Sequence, residues 1–144
     1  MNRHDWNLLV LGAANGHALT PAQLQKCLFL LGKAFPLEVE AGGSRYYNFR
    51  PYNYGAFDPA VYFDAEQLER DGQASIQKGT GPKQYSVTPE GLASSTTLRA
   101  QIPSDVAEYI TSLVNWARKL SFADLVRAVY DAYPETREKS IFKG

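Results

Sequence analysis

The sequence of 144 residues is poor in the residues that hold metals and disulfides, with one cysteine and two histidines. Cys27 cannot form an internal disulfide, and its leucine neighbours favour a role as a small core residue. His4 and His17 have no second histidine or cysteine at ligand spacing. The segment Gly79–Gly81 lacks the lysine and hydroxyl pair of a phosphate-binding loop and suits a hairpin turn. We therefore predict a protein without a metal, a cofactor or enzymatic activity.

The sequence also lacks an excess of charge of either sign, and it has no long apolar run. Fifteen basic and fifteen acidic residues give a formal net charge of zero, so any nucleic-acid role needs a local basic face. The N-terminal apolar run, Leu8 to Ala14, is broken by Gly12 and is too short for a membrane span or a convincing signal peptide. We expect a cytoplasmic protein without membrane contact.

Helix signals are clear in the first third of the chain. A first helix is expected from about Asp5 to Ala14. Thr20 and Pro21, followed by Gln23, have the N-cap, first-position proline and capping-box pattern of a second helix, which ends before Pro36. We expect a loop at residues 37–44.

The middle of the chain repeats the cap-and-proline signal on either side of a hairpin. Asp58-Pro59 predicts a third helix to about Asp71, and Thr88-Pro89 predicts another to about Ser94. Between them, two alternating runs flank a turn at residues 79–82, which indicates a β-hairpin. The aromatic run 46–51 is expected to add a third strand. Helix, hairpin and helix in this order are typical of a winged helix.

We therefore predict a mainly α fold with a small antiparallel β-wing (α+β class), a winged-helix-like domain with C-terminal helices. A single domain, 1–144, would comprise a core of about 5–98 and a helical pair of about 103–134, the second helix starting after Ser121. The apolar stripes of this pair, with Phe122 in the second, could also form a homodimer seam. The role of 135–144 stays open, and Ile141 and Phe142 are expected to dock onto the body.

DNA binding is one of the two functions considered. The helix expected in the major groove carries five acidic residues and Arg70, a formal charge of −4 that we interpret as a solvated acidic face. Such a face repels phosphates. The basic residues that could contact DNA from the flanks are Arg45, Arg50, Lys78 and Lys83.

An aromatic cluster favours protein binding instead. Eight aromatic residues lie between Tyr46 and Phe63. Alternate side chains of a strand point to opposite faces, so one core cannot bury them all, and exposed tyrosines near arginines are typical of interfaces. We predict a partner-binding surface drawn from Tyr47, Arg50, Tyr52 and Tyr54.

Three segments also resemble a known family: Leu19 to Leu31, Tyr54 to Asp58 and Leu68 to Gly72. Together they are similar to the Panacea or SocA-type antitoxin domain of small phage-associated proteins, over about residues 19–91. Ala56 departs from the family pattern, in which proline is usual. The resemblance implies a bacterial, non-enzymatic protein that neutralises or escorts a partner protein, such as a toxin or a defence-system component, or regulates its operon. The alternative is a winged-helix DNA-binding transcriptional regulator.

Overall fold

The structure is a computed structural model that describes residues 1–37 and 46–142. These residues form six α-helices, a final 3₁₀ helix (Pro134–Arg137) and four short strands. The helices are α1 (Arg3–Ala13), α2 (Pro21–Ala34), α3 (Ala60–Arg70), α4 (Pro89–Arg99), α5 (Ser104–Arg118) and α6 (Phe122–Ala132). The strands are β1 (Arg50–Tyr52), β2 (Gly55–Phe57), β3 (Ala74–Gln77) and β4 (Gln84–Val87). Because the strands form two separate antiparallel pairs, the predicted mainly helical α+β class is confirmed.

Local capping sets where the first two helices begin. The Thr20 hydroxyl accepts the Gln23 N–H at 3.2 Å, and the Gln23 side-chain oxygen accepts the Thr20 N–H at 2.9 Å, so the predicted capping box of α2 is confirmed. Asn2 and Asp5 make the same reciprocal bonds at α1. That helix therefore starts two residues before the position expected from its apolar pattern.

The strands β3 and β4 form the wing that follows α3. Leu19, between α1 and α2, exchanges two backbone hydrogen bonds with Tyr85 of β4, at 2.7 and 2.8 Å. It thus takes the third-strand position of the wing. The prediction that residues 46–51 would do so is wrong, since β1 pairs with β2 in a second hairpin. Tyr46 and Tyr47 of that run are buried in the core instead.

The helix α4 extends to Arg99, so the prediction that it fades after about Ser94 is wrong. The hydroxyls of Thr96 and Thr97 donate to carbonyls one turn earlier, which satisfies these groups within the helix. Ser95 is buried against Gly12 of α1, where a Cβ would lie 2.0 Å from the Ser95 Oγ. Tertiary packing therefore overrides the weak helix preference of the serine and threonine run.

Residues from all six helices and from the wing contribute to one main hydrophobic core. The helix α1 packs against α3, α4 and α5, and α2 packs against α5, α6 and β2. The last described residues, Ser140–Phe142, form the C-terminal tail. Its Ile141 N–H donates to the Asn53 carbonyl at 2.9 Å, and the Phe142 ring lies against Phe122 and Tyr130. The tail docks as expected, although the Ile141 side chain stays 59% exposed.

Beyond Leu37, the predicted loop at residues 37–44 lies outside the described residues. Within the part of the chain that the structure covers, no helix has both the length and the apolar character needed to cross a membrane.

Candidate protein-binding surface

Tyr47, one of the predicted partner-binding residues, is buried and cannot belong to an exposed surface. Its hydroxyl donates to Asp64 at 2.6 Å and accepts from the Asn7 side-chain amide at 3.1 Å. Asp64 also pairs with Arg3 at 2.8 Å and with His4 at 3.1 Å. Burial, together with the hydrogen bond to Asp64, raises the pKa of Tyr47. This residue joins α1 to α3, and the prediction that it faces a partner is wrong.

The acidic residues of the predicted third helix, residues 58–71, do not form one solvated face, which corrects a second prediction. Asp64 is buried in the network just described. Asp58 accepts the Ala60 N–H at 2.9 Å and the Asn48 N–H at 2.8 Å, and Glu69 accepts the Ile76 N–H at 2.9 Å. Because Asp64 is buried and paired with Arg3, the formal charge of −4 overstates the charge that a ligand would meet.

The other predicted partner-binding residues lie on the β1–β2 hairpin and are exposed. Arg50 and Tyr52, two residues apart on β1, point to the same face. Tyr52 is 51% exposed and stacks on Phe57 with 5.0 Å between ring centroids. Tyr54 is 42% exposed and meets the edge of Phe122 at 5.1 Å.

Phe122 is a residue of this site that sequence reasoning missed. Its helical spacing from Leu125 and Val129 predicts a core position, but its ring is 47% exposed. It stands at the first position of α6, where the helix end projects beside the hairpin. Arg50, Tyr52, Tyr54 and Phe122 are called the aromatic surface below.

Two neighbouring cavities adjoin the aromatic surface. The first, called the groove, has a volume of about 290 Å³ and lies between α2 and the β1–β2 hairpin. Its lining includes Pro21, Ala22, Lys26, Tyr52, Tyr54 and Phe122. The second, the wing-side cavity, has a volume of about 310 Å³ and reaches Pro82 in the wing turn. Because both cavities are lined by Pro21, Ala22 and Phe122, they lie side by side on the protein.

Lys26 is the second residue that sequence reasoning did not single out. It is 4% exposed, and its ammonium donates to the Ala56 carbonyl at 3.3 Å. None of the ion pairs in the described residues includes it. Burial lowers the pKa of Lys26 to about 8. The only signal in the sequence is weak: Lys26 interrupts a largely apolar run of α2. In the structure the whole run 24–29 is buried.

The residues predicted to contact DNA are spread over separate elements. Lys78 and Lys83 are exposed in the wing turn, Arg50 is exposed on the other hairpin, and Arg45 lies outside the described residues. In residues 1–37 and 46–142, no three His, Cys, Asp or Glu side chains are grouped as a metal ion would require.

The fold and this surface define a class, a mainly helical α+β domain with an exposed aromatic surface and a groove between α2 and the β1–β2 hairpin. Compared with models of known protein families and with curated proteins, the chain matches none of them.

Proposed function

We propose that this protein is a non-enzymatic regulator of antitoxin type, which binds a partner protein in the bacterial cytoplasm through the aromatic surface. The observation that carries the proposal is the convergence of Tyr52, Tyr54 and Phe122, three substantially exposed rings from two elements, next to an apolar groove. Tyrosine, phenylalanine and arginine are enriched at protein interfaces. Adjacent exposed rings of this kind mark interaction sites more often than scattered ones do.

Two hydrogen bonds and one close packing contact hold the hairpin that carries the two tyrosines. Lys26 donates to the Ala56 carbonyl, and Ile141 of the tail donates to Asn53 in the hairpin turn. Gly55 packs so closely on Tyr130 that a Cβ would lie 3.0 Å from the ring. Rings held in place before binding lose little conformational entropy in a complex, which favours their use as anchors.

The contacts between two of the resembling segments support an antitoxin of the Panacea or SocA type. The Gln25 amide donates to the Asp58 carbonyl at 2.8 Å, and the Asp58 N–H donates back to the Gln25 side chain at 3.2 Å. The bond from Lys26 to Ala56 is a third link between them. The bonded residues are 30 and 33 positions apart in the sequence, so the two segments, which are distant along the chain, are in direct contact in the fold. On this proposal the partner is a toxin or a defence-system component.

Co-expression with the product of the neighbouring gene tests the proposal. We expect that product to arrest growth when expressed alone, and this protein to restore growth. The double variant Tyr52→Ala/Tyr54→Ala should lose the rescue, whereas Phe63→Ala, which truncates a ring 63% exposed on α3, should keep it. Equal rescue by both variants would show that the aromatic surface is not the interface.

A DNA-binding regulator is the second candidate, favoured by the wing hairpin, which Leu19 extends by one bridge, and by its exposed Lys78 and Lys83. The exposed end of α3 opposes it, because Glu69 and Asp71 flank Arg70 there. Footprinting on the gene's own promoter at moderate salt separates the two candidates. We expect no specific protection of the promoter DNA. An operator-sized footprint would favour the DNA-binding regulator over the antitoxin.

A further inference from the structure

We propose that the groove takes an extended acidic segment of the partner protein, with an Asp or Glu side chain bound to the ammonium of Lys26 and neighbouring apolar side chains against the aromatic surface. This inference rests on the proposed function and names the chemistry of its ligand.

The contrast between the two buried charged side chains motivates the inference. Among the described residues these are Lys26 and Asp64. Asp64 has an arginine, a histidine and a tyrosine around it, whereas the one polar partner of Lys26 in residues 1–37 and 46–142 is a carbonyl at 3.3 Å. An ammonium has three donors, and a buried charge is costly unless an opposite charge pairs with it. A carboxylate of the partner would supply the counter-charge that no described residue supplies.

The charge of the lining selects the sign of the ligand. Of the described residues that line the groove and the wing-side cavity, Lys26 alone carries a formal charge. An acidic segment would therefore meet attraction from Lys26, with no competing carboxylate among the described lining residues. A basic segment would meet repulsion in a site of low polarity.

The groove reaches Lys26, because Lys26 is one of its lining residues. Gly55 lines the same groove, and a Cβ at this position would lie 3.8 Å from the Lys26 Nζ and 3.0 Å from the Tyr130 ring. The groove and the wing-side cavity share Pro21, Ala22 and Phe122. Together they offer a path from hairpin to wing that suits an extended chain rather than a compact small molecule.

Selection from a display library of random linear peptides, about 12 residues long, on the immobilised full-length protein tests this ligand. We expect the selected peptides to combine aromatic or aliphatic residues with an Asp or Glu. In a fluorescence-anisotropy assay, Lys26→Met and the Glu→Gln change in the peptide should each weaken binding about 30-fold or more. The two changes together should weaken it little further. The control Lys33→Met, an exposed lysine two turns along α2, should bind normally.

The possible results separate the two proposals. Selected peptides without an acidic residue, or with equal affinity for Lys26→Met, would overturn the inference and leave the aromatic surface standing. Peptides that bind Tyr52→Ala/Tyr54→Ala as tightly as the native protein would overturn the placement of the site itself. If no peptide is selected at all, a linear acidic segment is not the ligand, while rescue in the co-expression assay still reports on the proposed function. Circular dichroism of each variant shows that it is folded.

Discussion

Replacing Lys26 with methionine measures what the buried charge costs the folded protein. Burial lowers the pKa of Lys26 from 10.5 to about 8. At about 1.36 kcal/mol per pKa unit, this difference amounts to roughly 3 kcal/mol. Because the folded-state pKa lies below the unfolded-state value, the unfolded chain binds the proton more tightly. The penalty is therefore fully present below pH 8 and disappears as the pH rises towards 10.5.

Methionine keeps most of the apolar stem and removes the charge. It also removes the hydrogen bond to the Ala56 carbonyl, whose loss costs about 1 kcal/mol. We therefore expect Lys26→Met to exceed the native protein in free energy of unfolding by about 2 kcal/mol at pH 7. That advantage should shrink by about 2 kcal/mol on going to about pH 9.5, where the native lysine is neutral in the folded state.

Urea unfolding of both proteins at these two pH values is the assay, and the change in the difference is the quantity of interest. Packing terms that do not depend on pH cancel in this comparison. Lys78→Met, at an exposed lysine of the wing turn, is the control and should show no change with pH. A difference between Lys26→Met and the native protein that is the same at both pH values would refute the reasoning, because Lys26 would then be solvated. A gain in stability together with lost peptide binding would mark Lys26 as a residue that serves binding at the expense of stability.

Two further predictions concern the supports of the site, both measured by urea unfolding. Gly55→Ala should lower the free energy of unfolding by about 2 kcal/mol or more, because φ is +103° and the new Cβ would lie 3.0 Å from the Tyr130 ring. Gly16→Ala, with φ +88° and nothing within 4 Å, should lose only about 1 kcal/mol, and equal losses would contradict the close packing at Gly55. Asp64→Asn should lower the free energy of unfolding by about 2 kcal/mol or more, since it leaves the Arg3 guanidinium without its buried carboxylate partner. Asp71→Asn, at an exposed site, should change stability by less than about 0.5 kcal/mol, and a similar loss in both variants would mean that the network adds nothing.

Sequence reasoning located the secondary structure where the signals are local. The capping box at Thr20 and the cap at Ser121 involve residues a few positions apart, so each was predictable. The Asp58-Pro59 signal located the start of α3 to within one residue, since Pro59 is the N-cap and the helix begins at Ala60. The alternation around the wing turn likewise identified β3 and β4. The wrong predictions concern residues whose structural partners are far away in the sequence. Leu19 pairs with Tyr85, 66 residues further along, which displaced the predicted third strand.

By itself, the sequence determined the helices with clear caps, the wing hairpin and the presence of an unusual number of aromatic residues near its centre. Only the tertiary structure decided which of those aromatic rings are exposed and which are buried. Tyr47 and Tyr52 stand five positions apart in the same run, yet Tyr47 is drawn inward by Asn7 and Asp64, and Tyr52 is left half exposed on a hairpin. Folding likewise places Phe122 beside Tyr54 and closes the hairpin over Lys26. The physical reason is that burial depends on what distant segments pack against, and a local pattern records only what lies within a few residues.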